Sequence, residues 1–150
     1  VERLNEDLEV TIATPSFTPE KFELYQRYAR DWHGREERDQ AAFESFLVNS
    51  PVDSVEFTYR EPGGRLVASG LCDVCAASVS SVYFYFDPNE ARRSLGTYGA
   101  LVEITWAAGR GIPYYYLGYW VAGCGAMAYK SKFRPCELLG TDGVWRSAGC

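Results

Sequence analysis

A loop rich in arginine and glycine is the first group of residues that suits chemistry. It comprises Arg92, Arg93, Ser94 and Gly96, and it stands between a predicted strand and a predicted helix. The arginines supply positive charge, the glycine lets a ligand approach the backbone, and the first amides of a helix have no partner within it. The loop therefore suits a phosphorylated ligand, although loops that join a strand to a helix often contain these residues without binding anything.

An aromatic run over residues 113–120 is the second group. Tyr116, Tyr119 and Trp120 are candidates for stacking on unpaired nucleic-acid bases. Because side chains alternate along a strand, about half of the run must instead face the core. Tyr119 and Trp120 stand at the end of the predicted strand and are therefore the stronger candidates for contact with a ligand.

A basic element over residues 127–134 is the third group. Its cations, Lys130, Lys132 and Arg134, suit either a carboxylate of a substrate or the phosphates of a nucleic acid. Tyr129 is a candidate catalytic residue. Met127 is a candidate for lining a substrate pocket, although filling a core is the commoner role of methionine.

Few residues suit proton transfer or metal binding. Asp87 ends a predicted strand beside the arginine loop and is the candidate general base. Its structural alternative is an Asp-Pro turn that caps the loop.

His33, the single histidine, stands at a predicted helix end, which disfavours a catalytic triad and favours a structural role. Cys72 and Cys75 lack a second cysteine pair or a histidine at ligand spacing, so we expect two half-buried apolar residues and no metal site.

The charge is distributed unevenly along the 150 residues, whose formal net charge is −5. Residues 1–91 hold 8 Lys or Arg and 17 Asp or Glu, whereas residues 92–150 hold 7 and 3, together with 10 of the 23 aromatic residues. A basic, aromatic segment in an acidic protein favours a local site for a phosphorylated ligand or single-stranded nucleic acid. Solvated surface charge beside an aromatic core is the alternative.

Composition excludes several classes of protein. With 47% apolar residues the chain can bury a core, and no apolar run reaches the length of a membrane helix. The chain opens on Val1 without a charged-then-apolar leader segment, so we expect no secretory signal. Five cysteines, an odd number in a chain of this length, favour reduced thiols. We therefore expect one cytoplasmic domain over residues 1–150, with neither a membrane nor DNA as a partner.

The elements that must position these groups alternate between strands and helices, which indicates an α/β fold. Helices are predicted between the Thr18 cap and Gly34, between Asp39 and Pro51, over 98–108 and over 124–133. Strands are predicted over 55–59, 66–70, 81–86 and 113–120, followed by a hairpin around the 140–143 turn.

Four segments stand in one order along the C-terminal part: SVYFYFDP (81–88), RRSLGTY (92–98), PYYYLGYW (113–120), and Met127-Ala-Tyr129-Lys130 followed by FRP (133–135). Upstream stand FELYQRYARDWH (22–33) and FLVNSP (46–51). Together they resemble the C-terminal domain of the aminoacyl-tRNA-protein transferases, which comprise the arginyltransferases and the bacterial aspartate/glutamate leucyltransferases. The resemblance covers most of the chain.

The resemblance implies a GNAT-like fold, with a mixed central sheet flanked by helices, in which aminoacyl-tRNA replaces acyl coenzyme A as the donor. It implies that the acceptor is a protein that begins with Asp or Glu, and that the product is marked for degradation by the N-degron pathway. It implies no cofactor beyond the aminoacyl-tRNA co-substrate. Lys130 matches the family motif and ranks first among the three cations. Family members also have an N-terminal half with a cysteine cluster linked to iron-sulfur binding. We expect this chain to lack that half. Cys72 and Cys75 therefore do not correspond to the cluster.

Three functions stay open at this level. The first is transfer of leucine or arginine from aminoacyl-tRNA, and the small apolar segment 123–127 favours leucine because an arginine donor needs an acidic pocket. The second is an acyl-coenzyme A N-acetyltransferase of the same fold. The third is a module that binds tRNA or acidic N-termini without catalysis.

Overall fold

The computed structural model describes residues 1–121 and 123–148, except for the side chain of residue 126. It divides into two compact units, Val1–Tyr116 and Leu117–Cys150. The division falls within the segment for which the sequence predicts one continuous strand, and the single domain over residues 1–150 stays a prediction. In the part of the chain that the structure describes, no helix is both long and apolar enough to cross a bilayer.

Two helices of the first unit begin and end where the sequence predicts. Helix α1 spans Pro19–His33; the side chain of its N-cap Thr18 accepts a hydrogen bond from a first-turn amide, and Gly34 closes the helix with a φ of 66°. Helix α2 spans Gln40–Leu47, and the carboxylate of Asp39 caps it in the same way. Local capping therefore sets both helices.

A five-stranded mixed sheet forms the centre of the first unit. Its strands are β1 (Glu9–Ala13), β2 (Ser54–Arg60), β3 (Leu66–Val74), β4 (Ser78–Phe86) and β5 (Tyr114–Tyr116). They lie in the order β1-β2-β3-β4-β5; the first four are antiparallel neighbours, and β5 pairs with β4 in parallel. The hairpin of β2 with β3 and the strand β4 confirm predictions, whereas β1 is not among the predicted strands.

Helix α3 spans Leu95–Gly109 and connects the end of β4 to the start of β5, because a parallel pair of strands needs a crossover. It packs on the face of the sheet opposite to α1. Tyr85 of β4 contacts Tyr25 of α1, whereas its neighbour Phe84 lies against Gly99 of α3. The sheet is therefore covered by helices on both faces, which confirms the predicted α/β arrangement.

Glycine at position 99 allows α3 to pack closely against Phe84 of β4. A Cβ atom there would lie 2.2 Å from Cε2 of Phe84, far inside van der Waals contact. The core around it is apolar and contains several side chains without solvent contact. The largest of these are Tyr59, Phe57, Leu24, Leu66, Leu95, Val67 and Val79.

The second unit consists of short elements. Residues 117–121 have no regular secondary structure, and a 3-10 helix spans Gly125–Lys132. Strand β6 (Glu137–Leu139) pairs with β7 (Trp145–Ser147) in an antiparallel hairpin. The predicted hairpin is confirmed, and the helix predicted over 124–133 is present in 3-10 form.

The predicted buried strand over 113–120 is wrong beyond Tyr116. Strand β5 ends there, and Gly118 adopts a φ of 78°, which lies outside the range of a strand. Tyr114 is exposed, and Tyr119 is 90% exposed. The aromatic composition of this segment therefore does not reflect burial.

Gly99→Ala is expected to destabilise the protein. Because the new methyl group would meet the Phe84 ring, the free energy of unfolding should fall by about 1–3 kcal/mol in urea unfolding followed by circular dichroism. The matched control is Gly109→Ala in the same helix, where a Cβ atom meets nothing within 4 Å and alanine should raise stability by up to about 1 kcal/mol. Equal stabilities of the two variants would contradict the close packing of α3.

Candidate functional site

The parallel pairing of β4 with β5 is short and leaves an opening. Residues 78–80 pair with residues 114–116; β5 then ends, while β4 continues to Phe86. Along residues 81–86, β4 therefore has no partner on its β5 side among the described strands. We call this opening, bounded by residues 81–86 of β4 and by the end of β5, the fork. A strand edge of this kind offers backbone N–H and C=O groups to a ligand.

A β-bulge distorts β4 at the start of the fork. Leu71 of β3 pairs with Tyr83, and the next residue, Cys72, pairs with Ser81, so Val82 is an extra residue in β4. The backbone groups of an extra residue are left out of the ladder, and bulges occur often beside active sites. An N–H group released in this way is a suitable hydrogen-bond donor to an oxyanion.

The arginine loop lies between β4 and α3, as the sequence predicts. It contains a 3-10 helix over Pro88–Arg93, then Ser94 in the left-handed conformation with a φ of 55°. Arg92 and Ser94 are exposed, and Arg92 has no ion-pair partner within residues 1–121 and 123–148. A Cβ atom on Gly96 would meet nothing within 4 Å. The start of α3 is thus open to an anion, and the roles of Arg92, Ser94 and Gly96 stay predictions.

Arg93 is engaged by carboxylates. Its guanidinium group lies 2.7 Å from Asp7, 3.0 Å from Glu90 and 3.6 Å from Glu61. The hydrogen bond to Asp7 is the main cause of the raised pKa of Arg93, and the same bond lowers the pKa of Asp7. A guanidinium group held in this way is not available to a phosphate. The geometry therefore does not support the prediction that Arg93 acts together with Arg92 in binding a phosphate.

Asp87 is a buried structural residue in this fold. It is 1% exposed, and its Oδ2 accepts a hydrogen bond from Arg65 Nη1 at 2.8 Å and lies 3.6 Å from Arg27 Nη2. Its Oδ1 accepts from the Asn89 amide at 3.0 Å, which caps the loop that follows β4. The geometry therefore matches the Asp-Pro turn, and a general-base role for Asp87 has no geometric support.

Lys130 is the best-defined cation of the second unit. Its Nζ donates hydrogen bonds to the carbonyl oxygens of Leu117 at 2.7 Å and Tyr119 at 3.0 Å. Burial lowers the pKa of Lys130. Within residues 1–121 and 123–148 no carboxylate lies within ion-pair distance of it. Lys130 is thus a fixed ammonium group without a counter-ion in the described part of the chain, as carboxylate recognition requires.

The other candidates of the basic element differ in their surroundings. Lys132 is exposed, and Arg134 donates hydrogen bonds to the carbonyl oxygens of Ser131 and Phe133. Tyr129 is half-buried, and its ring packs edge-on against Phe133 with the ring centres 6.4 Å apart. Their predicted roles remain predictions.

An apolar cavity of about 230 Å³ lies within the second unit. The described residues that line it are small or apolar, and none of them is charged: Trp120, Val121, Gly123, Cys124, Gly125, Ala128 and Ser131. Trp120 thus lines this cavity, and its predicted stacking on nucleic-acid bases stays a prediction. Met127 is half-buried but is not one of the lining residues.

Two buried polar clusters of the first unit were missed by the sequence prediction. Lys21 of α1 donates to Glu56 of β2 at 2.5 Å, and Glu103 of α3 accepts a hydrogen bond from the hydroxyl group of Tyr115. A signal for Glu103 is present in the sequence, because it occupies the i, i+4 series of buried residues on α3: Leu95, Gly99, Glu103 and Ala107. A charged residue in such a series indicates a buried polar contact.

The histidine and the cysteines form no reactive centre in the described residues. His33 packs edge-on against the Tyr28 ring with the ring centres 5.0 Å apart, and burial lowers its pKa. Cys72 is fully buried and Cys75 is exposed, so the expectation that both are half-buried is wrong. No group of three or more His, Cys, Asp or Glu side chains in the described residues is arranged to hold a metal ion.

Comparison with protein families finds a match over most of this chain. The family described as "Arginine-tRNA-protein transferase, C terminus" matches residues 20–140. The aspartate/glutamate leucyltransferase of Sphingopyxis alaskensis is 41% identical over 150 residues, which cover 94% of this chain and 58% of that protein. The enzyme of the same name from Pseudomonas putida (strain KT2440) is 41% identical over 140 residues, which cover 90% of this chain and 58% of that protein. The chain thus spans rather more than half the length of these relatives.

Solved structures of acetyltransferases share the fold. The ribosomal-protein-S18-alanine N-acetyltransferase of Escherichia coli has a TM-score of 0.64 at 19% identity, over 91% of this chain and 88% of that chain. An aminoglycoside acetyltransferase from an uncultured soil metagenomic sample has a TM-score of 0.62 at 11% identity, over 88% of this chain and 90% of that chain. At these identities the likeness concerns the fold alone, and it confirms the predicted GNAT-like architecture.

Proposed function

The chain belongs to the arginine-tRNA-protein transferase C-terminal family, and on that premise we propose that it serves to transfer leucine from leucyl-tRNA to proteins that begin with Asp or Glu. The observation that carries the proposal is the 41% identity, over 94% of the chain, with a relative named for this activity. The resemblance of the sequence segments to the family is thereby confirmed. The match covers 58% of that relative, so the activity of the whole relative comes to this chain only as a proposal.

The proposed reaction is an exchange of an ester for an amide. The deprotonated α-amino group of the acceptor attacks the ester carbonyl carbon of leucyl-tRNA, a C–N bond forms, and the bond to the ribose oxygen breaks. The acceptor loses a proton and the ribose oxygen gains one. Because the ester is already activated, the reaction as proposed needs positioning and oxyanion stabilisation rather than a resident cofactor.

The first unit supplies suitable backbone groups for this step. The bulge at Val82 lies at the start of the fork, and a backbone N–H left out of the ladder by such a bulge would suit the oxyanion of the tetrahedral intermediate. Asp87, the predicted general base, is buried and held by Arg65 and Arg27, so the proposal leaves it out of the proton transfer. The catalytic role of Tyr129 stays a prediction.

Lys130 is the proposed recognition group for the acidic first residue of the acceptor. Two of its three donors are used by the carbonyl oxygens of Leu117 and Tyr119, which fixes the ammonium group. The remaining donor and the uncompensated charge suit an Asp or Glu carboxylate, and partial burial strengthens such a pair relative to one in water.

The apolar cavity of the second unit is the proposed site of the donor side chain. Its lining of Trp120, Val121, Cys124, Ala128 and small polar or glycine residues suits a branched aliphatic group. An arginine side chain would need a carboxylate partner, and none of the described residues that line this cavity carries one. The cavity therefore supports leucine as the donated amino acid.

Exposed groups supply the proposed contacts with tRNA. Arg92 with the first amides of α3 suits a phosphate, and Tyr119 and Trp120 suit stacking on unpaired bases. A donor of this kind is available in the cytoplasm, where we place the protein. Addition of leucine to an acidic N-terminus would mark the acceptor for degradation by the N-degron pathway.

The proposal predicts leucyl transfer by the complete encoded protein. Labelled leucine or arginine, each supplied on its own charged tRNA, is incubated with a peptide that begins with Asp, with acetyl-coenzyme A as a control donor. We expect labelled leucine in the peptide and little arginine or acetate. Transfer of arginine would reassign the donor, acetylation would favour an acetyltransferase, and tRNA binding without transfer would indicate a non-catalytic module.

Lys130→Met is expected to abolish selection of the acidic acceptor. Loss of a charge-assisted hydrogen bond should lower kcat/KM for an Asp peptide by about 10- to 100-fold. A matched peptide that begins with Asn provides the control, because the variant should no longer distinguish it from the Asp peptide. A variant that still prefers Asp as strongly as the original protein would remove Lys130 from this role.

Arg92 and Arg93 should differ in tRNA binding despite being neighbours. Arg92→Ala should reduce the slope of log affinity against log salt by about one, because one phosphate contact is lost. Arg93→Ala should leave the slope unchanged, since Arg93 is held by Asp7 and Glu90. Filter binding at several salt concentrations measures both, and equal changes in the two variants would contradict the assignment.

A further inference from the structure

The carboxyl group of Glu103 is buried between α3 and the sheet. The residue is 1% exposed, and its Oε1 has no hydrogen-bond partner among the described residues. Its Oε2 accepts a hydrogen bond from the hydroxyl group of Tyr115, the central residue of β5. One side chain of α3 is thus bonded directly to the strand that forms one side of the fork.

The surroundings of Glu103 raise the pKa of its carboxyl group. Burial is the main cause, and the neighbouring side chains of Tyr115, Cys72 and Ser81 offset part of the rise. Burial likewise raises the pKa of Tyr115 and of Cys72. The carboxyl therefore sits among hydroxyl and thiol groups, with no cation of the described residues beside it.

Glycine on β3 makes room for this carboxyl. A Cβ atom on Gly70 would lie 2.6 Å from Glu103 Oε1, so a side chain at that position would displace the carboxyl. Gly70 belongs to the central antiparallel part of the sheet, where β2 and β4 flank it. Glu103 is thus seated on the most firmly paired part of the sheet.

Strand β5, by contrast, is paired on one side only among the described strands. It contains three residues, pairs with β4 alone, and forms the edge of the sheet. The residues of β5 on either side of Tyr115 are exposed. The hydrogen bond between Tyr115 and Glu103 is therefore an attachment of β5 that does not depend on its ladder with β4.

We propose that Glu103 is a positioning residue, which fixes β5 at the fork through the Tyr115 hydroxyl and so sets the place where the aminoacyl ester lies. The inference rests on the proposed function. Glu103 is too deeply buried to touch a substrate, so it acts through Tyr115. Loosening of β5 would shift the reacting ester relative to the backbone donors of β4, and displacement of about 1 Å is enough to slow a reaction substantially.

The test is a double-mutant cycle in the complete encoded protein, with Glu103→Leu, Tyr115→Phe and the double variant. Leucine has similar size and leaves no buried carboxyl, so the fold should persist, which thermal unfolding checks. Each variant should lose about tenfold in kcat of leucyl transfer, and the double variant should lose no more than either single variant, because the three lack the same hydrogen bond. The KM for the acceptor peptide should not change.

Two further variants serve as controls. Glu103→Gln keeps an oxygen that can accept from Tyr115 and should restore the original kcat. Tyr114→Phe alters an exposed tyrosine of the same strand and should leave transfer unchanged. Additive losses in the double variant, or loss in Glu103→Gln equal to that in Glu103→Leu, would overturn the inference and indicate an ordinary core residue.

Hydrogen exchange separates this inference from the proposed function. The amides of residues 114–116 should exchange faster in Tyr115→Phe and Glu103→Leu than in the unaltered protein, and at the original rate in Glu103→Gln. Unchanged exchange in both loosening variants overturns the inference even when transfer is active. If the unaltered protein transfers no leucine, the proposed function fails, and the exchange rates still decide whether Glu103 fixes β5.

Discussion

The parallel pairing of β5 with β4 is the constraint on which the site depends. Parallel neighbours cannot be joined by a tight turn, so the chain must cross from one end of β4 to the start of β5, and α3 makes this crossing. The crossing brings the start of α3 next to the end of β4 and so creates the loop that carries Arg92. Because only three residue pairs join the strands, the rest of β4 keeps a free edge, and the bulge at Val82 lies on that part of the strand.

Buried polar contacts tie the elements of the first unit to one another. Lys21 of α1 donates a hydrogen bond to Glu56 of β2, and Arg65 donates one to Asp87 at the end of β4. Glu103 joins α3 to Tyr115 of β5. Contacts of this kind add less to stability than apolar packing of equal size, but they allow few alternative arrangements. Of these contacts, the one between Glu103 and Tyr115 lies beside the fork.

The chemistry proposed for the second unit depends on short and irregular segments. Lys130 holds the carbonyl oxygens of Leu117 and Tyr119, and the cavity lies among residues of the adjoining 3-10 helix. Such segments expose backbone groups that a helix or a strand would use internally, which suits recognition of small polar and apolar groups.

Local interactions explain what the sequence by itself determined. Thr18, Gly34 and Asp39 lie within a few residues of the groups they cap, so the bounds of α1 and α2 were predictable, and the motifs of the C-terminal part were sufficient to identify the family. Only the tertiary structure decided which charged side chains are neutralised by ion pairs and which are available to a ligand. Arg93 and Asp7 are 86 positions apart, and Lys21 and Glu56 are 35 apart, yet each pair is in direct contact. Charge and spacing in the sequence can indicate that an arginine suits a phosphate site. Whether the charge of that arginine is already neutralised depends on residues that only folding brings beside it.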